Sequence, residues 1–343
     1  TEDDGDATLT VATADVDDGS TVTLTLNGQS YTGTVSSDTA SIVVAAADLQ
    51  ALTQGPVAYT ADVSDSAGNA ATQHSGSFTY DATAPSVETS AFGFDAVLNA
   101  TEDDGDATLT VTTSGVEDGN TVTLAMNGQS YTGTVSSGSA SIVVATADLQ
   151  ALTEGAVAYT ADVSDSAGNA ATQHSGSFTY DASASIASSA FDFGAVLNAS
   201  EDDGDATLTV ATVDVDDGST VTLTLNGQTY TGTVSSDSAA IVVAAEDLQA
   251  LTEGSVAYTA DVSDSAGNPA TQHSGSFSYD ASASIASSTF DFGAVLNATE
   301  DDGDATLTVA TADVDDGSTV TLTLNGQSYT GTVSSDTASI VVA

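Results

Sequence analysis

Four clusters of carboxylates have the residue types and the spacing to bind metal ions. The cluster Glu-Asp-Asp-Gly-Asp occurs at residues 2–6 and returns at 102–106, 201–205 and 300–304. Each copy precedes an alternating apolar run, so we expect each in a turn that leads into a β-strand. The chain has 49 Asp plus Glu and no Lys or Arg, so no fixed positive side chain can neutralise these clusters. The pattern predicts bound cations.

Composition narrows the possible partners. A formal net charge of −49 excludes nucleic acid and anionic membrane surfaces, because both require a basic footprint. With 40% hydrophobic residues, the chain can form packed cores despite its charge. It has no Cys, so core burial and metal must take the place of disulfides. We expect no membrane insertion, because no apolar run approaches ~18 residues.

Long internal repeats organise the chain. Equivalent positions are Thr1, Thr101, Ser200 and Thr299, which gives steps of 100, 99 and 99 residues. This period matches a whole β-sandwich domain and is too long for a solenoid repeat. We predict domains at 1–82 (first strand missing), 83–182, 183–281 and 282–343 (last two strands missing). Because the chain opens and stops inside repeats, we expect it to be an internal segment of a longer protein.

The second repeat predicts seven strands. Residues 91–98 form the first strand, and period-two alternation marks the others, for example Leu109 and Val111. Asn127-Gly128 predicts a type I′ hairpin turn. A helical turn with Asp148 as its N-cap lies before the sixth strand. The fold class is therefore all-β: tandem immunoglobulin-like seven-stranded β-sandwiches arranged end to end.

Strand direction predicts which loops meet. In an alternating sandwich, loops one–two, three–four and five–six lie at the C-terminal end, where strand seven ends. Loops two–three, four–five and six–seven lie at the N-terminal end, where strand one begins. If domains stack end to end, the C-terminal end of one faces the N-terminal end of the next. At the second junction the facing groups are Glu102, Asp103, Asp104, Asp106 and Asp181 against Asp214, Asp216, Asp217, Asp264 and Asn268.

The same positions provide candidate ligands at the other two junctions. At the first junction they are Glu2, Asp3, Asp4, Asp6 and Asp81 against Glu117, Asp118, Asp165 and Asn169. At the third they are Glu201, Asp202, Asp203, Asp205 and Asp280 against Asp313, Asp315 and Asp316. An all-oxygen donor set favours Ca²⁺ over Mg²⁺, which demands a tighter octahedron, and over zinc, which prefers Cys and His. We predict several Ca²⁺ ions, mainly at the junctions between domains.

Other motifs have simpler interpretations. Residues 15–19 resemble the start of an EF-hand loop, but the glycine arrives one position early and Leu26 stands where the bidentate Glu belongs. The nonapeptide of calcium β-rolls is absent. His74, His174 and His273 are isolated, which favours exposed strand residues over a zinc site. Asn99-Ala100-Thr101 matches a glycosylation sequon, but an Asn that precedes a turn is the simpler account.

Several motifs together resemble a known family. They are the loop Asp-Ser-Ala-Gly-Asn at 165–169, the run Gly-Ser-Phe-Thr-Tyr-Asp at 176–181, the linker Asp-Ala-Thr-Ala-Pro at 81–85, and residues 102–111. They resemble the bacterial Ig-like extender domains of giant RTX adhesins of marine bacteria, among them large adhesion proteins and an ice-binding adhesin. The resemblance implies an extracellular stalk on the bacterial surface, with linker ligands at Asp81, Asp181 and Asp280. Gly115 departs from the Asp of the other repeats, which implies weaker binding at the first junction.

The predicted function is therefore a calcium-rigidified extender that holds a distal adhesive tip away from the cell, with neighbouring repeats as its partners. The alternative is that each domain is itself a glycan- or surface-binding module. An enzyme is disfavoured, because without Lys, Arg or Cys the usual means of activating a nucleophile are missing.

Overall fold

The computed structural model describes residues 2–300 and 302–343. Thr1 and Asp301, which belong to the predicted repeat positions and acidic clusters, lie outside the described residues. The chain divides into two compact units, Thr1–Ala182 and Ser183–Ala343. The described residues form four hydrophobic clusters, one in each predicted repeat. The predicted domain boundaries within each unit stay predictions.

The first unit begins with a short 3-10 helix, Glu2–Asp4, and holds two repeats. The elements of the first repeat are β1 Ala7–Ala12, β2 Thr21–Leu26, β3 Gln29–Ser36, β4 Thr39–Val44, α1 Ala46–Leu49, β5 Gly55–Val63 and β6 His74–Tyr80. Those of the second repeat are β7 Ser86–Phe92, β8 Val97–Leu98, β9 Ala107–Ser114, β10 Thr121–Met126, β11 Gln129–Thr134, β12 Ser139–Val144, α2 Thr146–Leu149, β13 Gly155–Asp162 and β14 His174–Tyr180.

The second unit repeats this pattern. The elements of the third repeat are β15 Ser185–Phe191, β16 Val196–Asn198, β17 Ala206–Val213, β18 Thr220–Leu225, β19 Gln228–Thr233, β20 Ser238–Val243, α3 Ala245–Leu248, β21 Gly254–Asp261 and β22 His273–Asp280. Those of the fourth are β23 Ser284–Phe290, β24 Ala305–Ala312, β25 Thr319–Leu324, β26 Gln327–Ser334 and β27 Thr337–Val342.

Two sheets form each complete repeat. In the second repeat one sheet has the order β12-β9-β7 and the other β11-β10-β13-β14-β8. Alternate side chains of both sheets meet in one core that includes Leu109, Leu124 and Ile142, each with no exposed surface. This arrangement confirms the predicted all-β, immunoglobulin-like class.

The first strand differs from the prediction. Residues 91–98 do not form one strand: β7 ends at Phe92, and β8 begins at Val97. β7 pairs antiparallel with β9, whereas β8 pairs parallel with β14 in the other sheet. The chain changes sheets because Gly93 and the residues after it form a bend between the two strands. One segment therefore closes both sheets of the sandwich.

The predicted hairpin turn is confirmed. Asn127 and Gly128 have φ values of 48° and 74°, and β10 pairs with β11 on either side of them. A type I′ turn requires positive φ at both central residues, which Asn and Gly adopt at low cost. No helix among the described residues has the length and apolar character needed to cross a membrane.

Candidate metal centre

The acidic turn before β9 begins with a reciprocal cap. Asn99 Oδ1 accepts the backbone N–H groups of Thr101 at 2.9 Å and Glu102 at 3.0 Å. Glu102 Oε2 accepts the backbone N–H of Asn99 in return, at 3.2 Å. This geometry is that of a capping box with Asn in the first position. The third repeat repeats it with Asn198 and Glu201, so the sequon asparagine has the turn-forming role that we expected.

In the first three clusters, the second acid accepts a hydrogen bond from a tyrosine. Asp103 Oδ2 accepts the hydroxyl of Tyr180 at 2.6 Å, and Asp103 is 5% exposed. Burial and this hydrogen bond raise the pKa of Tyr180 to about 12. Because Tyr180 directly precedes the linker residue Asp181, the bond ties the acidic turn to the start of the linker. The equivalent bonds join Asp3 to Tyr80 at 3.0 Å and Asp202 to Tyr279 at 2.6 Å.

The third and fourth acids of the cluster hold the helical turn α2. Asp104 Oδ1 accepts from Gln150 Nε2 at 3.2 Å. Asp106 Oδ1 accepts from the backbone N–H of Thr146 at 2.9 Å and from its hydroxyl at 3.0 Å, and these bonds lower the pKa of Asp106. The corresponding pairs are Asp4 with Gln50, Asp6 with Ala46, Asp203 with Gln249, and Asp205 with Ala245.

The predicted helix cap was therefore wrong. The N-cap position of α2 is Ala145, with no side-chain cap, and Asp148 lies inside the helical turn. Asp106, 40 residues earlier in the chain, supplies the carboxylate that accepts the first free N–H of the turn. A partner so distant in sequence leaves no local capping pattern to read.

At the N-terminal end of the second repeat, acids join neighbouring loops. Asp118 Oδ1 accepts the N–H of Ser137 at 2.6 Å. Glu117 Oε2 accepts the N–H of Ser166 at 2.8 Å, which lowers the pKa of Glu117. Loops two–three, four–five and six–seven therefore meet at one end, as strand alternation predicts. The equivalent contacts join Asp217 to Ser236, Asp216 to Ser265 and Asp316 to Ser335, whereas Asp315 is exposed.

The loop from 165 to 169 is closed on itself and also contacts the preceding repeat. Asp165 accepts the N–H of Asn169 at 2.8 Å and its side-chain amide at 2.9 Å, and both residues are 6% exposed. The same amide group of Asn169 donates to the main-chain oxygen of Asp81 at 3.0 Å. One hydrogen bond thus spans the first junction. Asp264 and Asn268 form the same closed pair in the third repeat.

The position of Gly115 has a positive φ in every repeat. The values are 55° at Asp15, 73° at Gly115, 54° at Asp214 and 56° at Asp313. Asp214 Oδ2 accepts from the hydroxyl of the linker residue Ser183 at 3.5 Å. Glycine adopts this conformation without strain. The second repeat therefore lacks the carboxylate that Asp214 directs at the linker, and its backbone at Gly115 is unstrained.

The first junction borders a cavity of about 850 Å³. Its lining includes Glu2, Asp3 and Asp81 from the first repeat and Asn169 from the second. Asp4 and Asp6 instead contact the α1 turn, and Glu117 and Asp118 contact loops of their own repeat. Of the residues predicted at the first junction, Glu2, Asp3, Asp81 and Asn169 therefore share one cavity.

The other two junctions are less defined. The second lies between the two units, and the convergence of acids predicted there stays a prediction. At the third, Asp280 is exposed at the end of β22, where it pairs with Asn198 of β16, and Asp313 is also exposed. Asp181 donates its own N–H to the main-chain oxygen of Leu98 at 3.0 Å.

The predicted residues suit Ca²⁺ in donor type and only partly in geometry. Every candidate donor is an oxygen, which hard cations prefer. Thr113 has a buried hydroxyl that makes no hydrogen bond within the described part of the chain, as do its counterparts Thr13, Thr212 and Thr311, but Thr13 and Thr113 do not line the cavity at the first junction. However, no three Asp, Glu, His or Cys side chains among residues 2–300 and 302–343 are grouped closely enough to hold a metal. A calcium ion would therefore need main-chain and amide oxygens as ligands, in addition to fewer than three carboxylates.

The histidines differ from the expectation of exposed strand residues. His74 is exposed, but His174 and His273 are half-buried. His174 Nε2 lies 2.9 Å from Ser90 Oγ, which in turn lies 2.9 Å from the hydroxyl of Tyr159. These contacts explain the partial burial and involve no group that suggests a zinc site.

Comparison with known proteins gives the family. No protein-family model matches the chain, and the search of curated proteins gives no match. Among solved structures, a Ca²⁺-stabilized adhesin with which an Antarctic bacterium binds ice is 34% identical, over 99% of this chain and 86% of that chain, with a TM-score of 0.42. A bacterial immunoglobulin-like domain from the M. primoryensis ice-binding adhesin is 35% identical, over 29% of this chain and 99% of that domain, with a TM-score of 0.23.

The chain belongs to the bacterial immunoglobulin-like repeats of large adhesins. A tetra-tandem repeat from the extending region of a large adhesion protein is 26% identical, over 98% of this chain and 86% of that chain, with a TM-score of 0.32.

The hydrogen bond between Asp103 and Tyr180 of this chain is the feature that sequence reasoning missed. Its signal was the tyrosine that recurs just before each linker aspartate, at 80, 180 and 279.

Proposed function

We propose that this chain is a spacer segment of an RTX-type adhesin on the outside of a bacterial cell, stiffened by Ca²⁺ at the junctions between repeats. Its role is to hold an adhesive tip away from the cell surface. The observation that supports this most is that Glu2, Asp3, Asp81 and Asn169 line one cavity at the first junction, in a chain without Lys or Arg. The rest of the lining is largely apolar and includes Leu9, Leu24 and Phe78.

Electrostatics gives the reason for a cation. Two carboxylates ~4 Å apart repel by ~1 kcal/mol in water and by ~4 kcal/mol at an effective dielectric constant near 20. The carboxylates described above accept hydrogen bonds from uncharged donors, namely backbone N–H groups and the side chains of Ser, Thr, Asn, Gln and Tyr. Such bonds orient a carboxylate but leave its charge. A divalent ion would convert the remaining repulsion between adjoining repeats into attraction.

The expected affinity is low and suits an extracellular protein. Extracellular calcium modules have Kd values of ~10⁻⁴ to 10⁻³ M. An ion at 100 times its Kd stabilises the bound state by about 2.7 kcal/mol per site. Binding of that strength aligns neighbouring repeats outside the cell, and calcium-poor surroundings release them.

Calcium titration combined with small-angle scattering tests the proposal. We expect isothermal titration to detect Ca²⁺ binding, and the radius of gyration to fall when EGTA replaces CaCl₂, with MgCl₂ a poor substitute. Asp81→Asn should remove about one ion. Asp62→Asn is the matched control, because both Asp62 oxygens accept from Gln73 Nε2 at 3.0 Å within the first repeat. An identical radius of gyration in CaCl₂ and in EGTA would refute the stiffening role.

The alternative of a glycan-binding module has little support from the two complete repeats. Glycan sites usually present exposed aromatic side chains. The Phe and Tyr side chains of the second and third repeats are all buried or half-buried. The adhesin neighbours are structural repeats, which also favours a role without catalysis.

A further inference from the structure

One side chain at the start of each linker is not among the predicted metal ligands. In the second repeat it is Glu154, which directly precedes β13. Gly155 of β13 pairs with Tyr180 of the antiparallel strand β14, so the continued register brings Glu154 opposite Asp181, where the linker begins. The same register brings Gln54 opposite Asp81 and Glu253 opposite Asp280.

This side chain accepts a hydrogen bond from the linker backbone in each of the first three repeats. In the second repeat Glu154 Oε1 accepts the N–H of Ala182 at 3.2 Å. The equivalent bonds join Gln54 Oε1 to the N–H of Ala82 at 3.2 Å, Glu253 Oε1 to the N–H of Ala281 at 3.1 Å, and Glu253 Oε2 to the hydroxyl of Ser282 at 3.1 Å. The same backbone donor is therefore bound in three linkers.

Neighbouring contacts hold the same part of the linker. Asp181 donates its N–H to the main-chain oxygen of Leu98 at 3.0 Å. The side chain of Ala182 packs against the core of the second repeat, and that of Ala281 packs against the core of the third. Two consecutive backbone N–H groups and one apolar side chain thus fix the direction in which the chain leaves the second repeat.

The first repeat shows that this hydrogen bond requires no charge. Gln54 is neutral, yet its side-chain oxygen accepts the same linker N–H as the carboxylates of Glu154 and Glu253. We propose that Gln54, Glu154 and Glu253 are positioning residues, which set the exit direction of each linker by accepting a backbone hydrogen bond, without a bound ion.

This inference rests on the proposed spacer function, because the exit direction of a linker matters to a protein that holds two things apart. A calcium ion at a junction would then act on a linker whose first residues are already fixed. Ordering the next repeat would cost less conformational entropy for that reason. The positioning residues and the proposed ions therefore have separate roles, and EGTA in every sample isolates the first of them.

Hydrogen–deuterium exchange in EGTA gives the first test. Peptides that contain Ala82, Ala182 and Ala281 differ in sequence, so mass spectrometry follows the three linkers separately. Glu154→Ala removes one hydrogen bond and should make exchange in the second linker about fivefold faster, with the other two linkers unchanged as internal controls. Glu154→Gln should keep the original rate, because it copies Gln54. Glu154 is exposed, so neither variant leaves a cavity in the core.

Two results of the exchange experiment overturn the proposal. An original rate in Glu154→Ala would show that the hydrogen bond does not hold the linker. An equally fast exchange in Glu154→Gln and Glu154→Ala would show that residue 154 acts through its charge.

Distances between spin labels test the exit direction itself. The chain has no Cys, so Thr132→Cys with Thr231→Cys places one label on β11 and one on β19, at exposed positions. In EGTA, Glu154→Ala should broaden the distribution of distances, whereas Glu154→Gln should leave it as it is. Equal widths in all three chains overturn the positioning role. Addition of CaCl₂ to the original chain tests the proposed ions separately, so the two proposals fail on different measurements.

Discussion

The first and second repeats contain almost the same residues in different surroundings. Residues 55–82 and 155–182 differ only at Pro56, where the second repeat has Ala156. Yet Phe78 is 40% exposed and Phe178 is 7% exposed, and Tyr59 is half-buried where Tyr159 is buried. The difference comes from β7 and β8, which cover the second repeat and have no counterpart among the described residues of the first. The burial of these aromatics therefore depends on the segment of β7 and β8, which closes both sheets.

The largest effect should come from removing Phe178, the aromatic that this segment covers. Phe178→Ala should cost about 3–5 kcal/mol, because the substitution leaves a cavity under Phe92 and Phe94. Phe78→Ala, at an identical sequence position, should cost less than half as much, because Phe78 already contacts solvent. Hydrogen–deuterium exchange of β13 and β5 at increasing urea concentrations measures both. Equal losses in the two repeats would contradict the comparison.

The tyrosine before the linker should give the next effect. Tyr180→Phe leaves buried Asp103 without its hydroxyl donor and should cost about 1–3 kcal/mol. Tyr80→Phe affects the half-buried Asp3 and should cost less, about 0.5–1 kcal/mol. Paired thermal unfolding of the two variants at pH 7 measures the difference, and the opposite order would argue against it.

Alkaline pH should remove the same contribution. The pKa of Tyr180 is raised from 10.0 to about 12 in the folded chain. A group with a raised folded-state pKa stabilises the fold fully below its unfolded value, and the contribution is lost as pH rises through the folded value. The stability gap between the original chain and Tyr180→Phe should therefore narrow between pH 10 and pH 12. A gap that stays constant to pH 12 would count against this bond.

An exchange of Gly115 and its aspartate counterpart should change calcium affinity modestly. Gly115→Asp restores a carboxylate beside the first linker, at a φ of 73° that Asp214 tolerates at 54°. One more charge near a bound ion contributes about 1 kcal/mol, which is roughly a fivefold gain in affinity. Asp214→Gly should produce the reverse change in calcium affinity. Calcium titration of both variants measures the shifts, and unchanged affinities would exclude this position as a ligand.

The smallest effect concerns the acid that holds α2. Hydrogen bonds from Thr146 lower the pKa of Asp106 below 3.8, so its contribution exists above that value and is lost as pH falls through the folded-state pKa. The difference in midpoint temperature between the original chain and Asp106→Asn should shrink toward zero as pH falls below 4. Thr146→Ala copies the first repeat, where Ala46 donates only its N–H, and should reduce the difference. A difference that grows on acidification would contradict this account.

Local patterns in the sequence predicted much of the fold. Period-two alternation gave the strands around Leu109 and Leu124, and the Asn127-Gly128 pair gave the hairpin turn, because both depend on neighbouring residues. The split between β7 and β8 escaped prediction, because residues 91–98 look uniformly extended and only the pairing partners distinguish the two halves.

The candidate site was harder to predict than the fold. Strand alternation grouped the loops at each end correctly, yet it could not assign partners such as Tyr180, 77 residues from Asp103. The prediction treated all the acids of a junction as equally available metal ligands. It overlooked the uncharged hydrogen-bond donors that hold individual carboxylates in place. Acidic clusters looked like shared metal shells because composition counts charges and contains no information on where each side chain points.

The uncharged donors that fasten these carboxylates bear on how the protein resists degradation. A protease of the trypsin type selects a basic side chain through its specificity pocket, and this chain has none to offer. Proteases that cut after acidic residues meet a few nearly inaccessible side chains, such as Asp103 and Asp165, but others, such as Asp104, are exposed. A protease that cuts after aromatic residues should reach Phe78, which is 40% exposed, before Phe178, which is 7% exposed, so limited chymotrypsin cleavage reports directly on the difference between the two repeats.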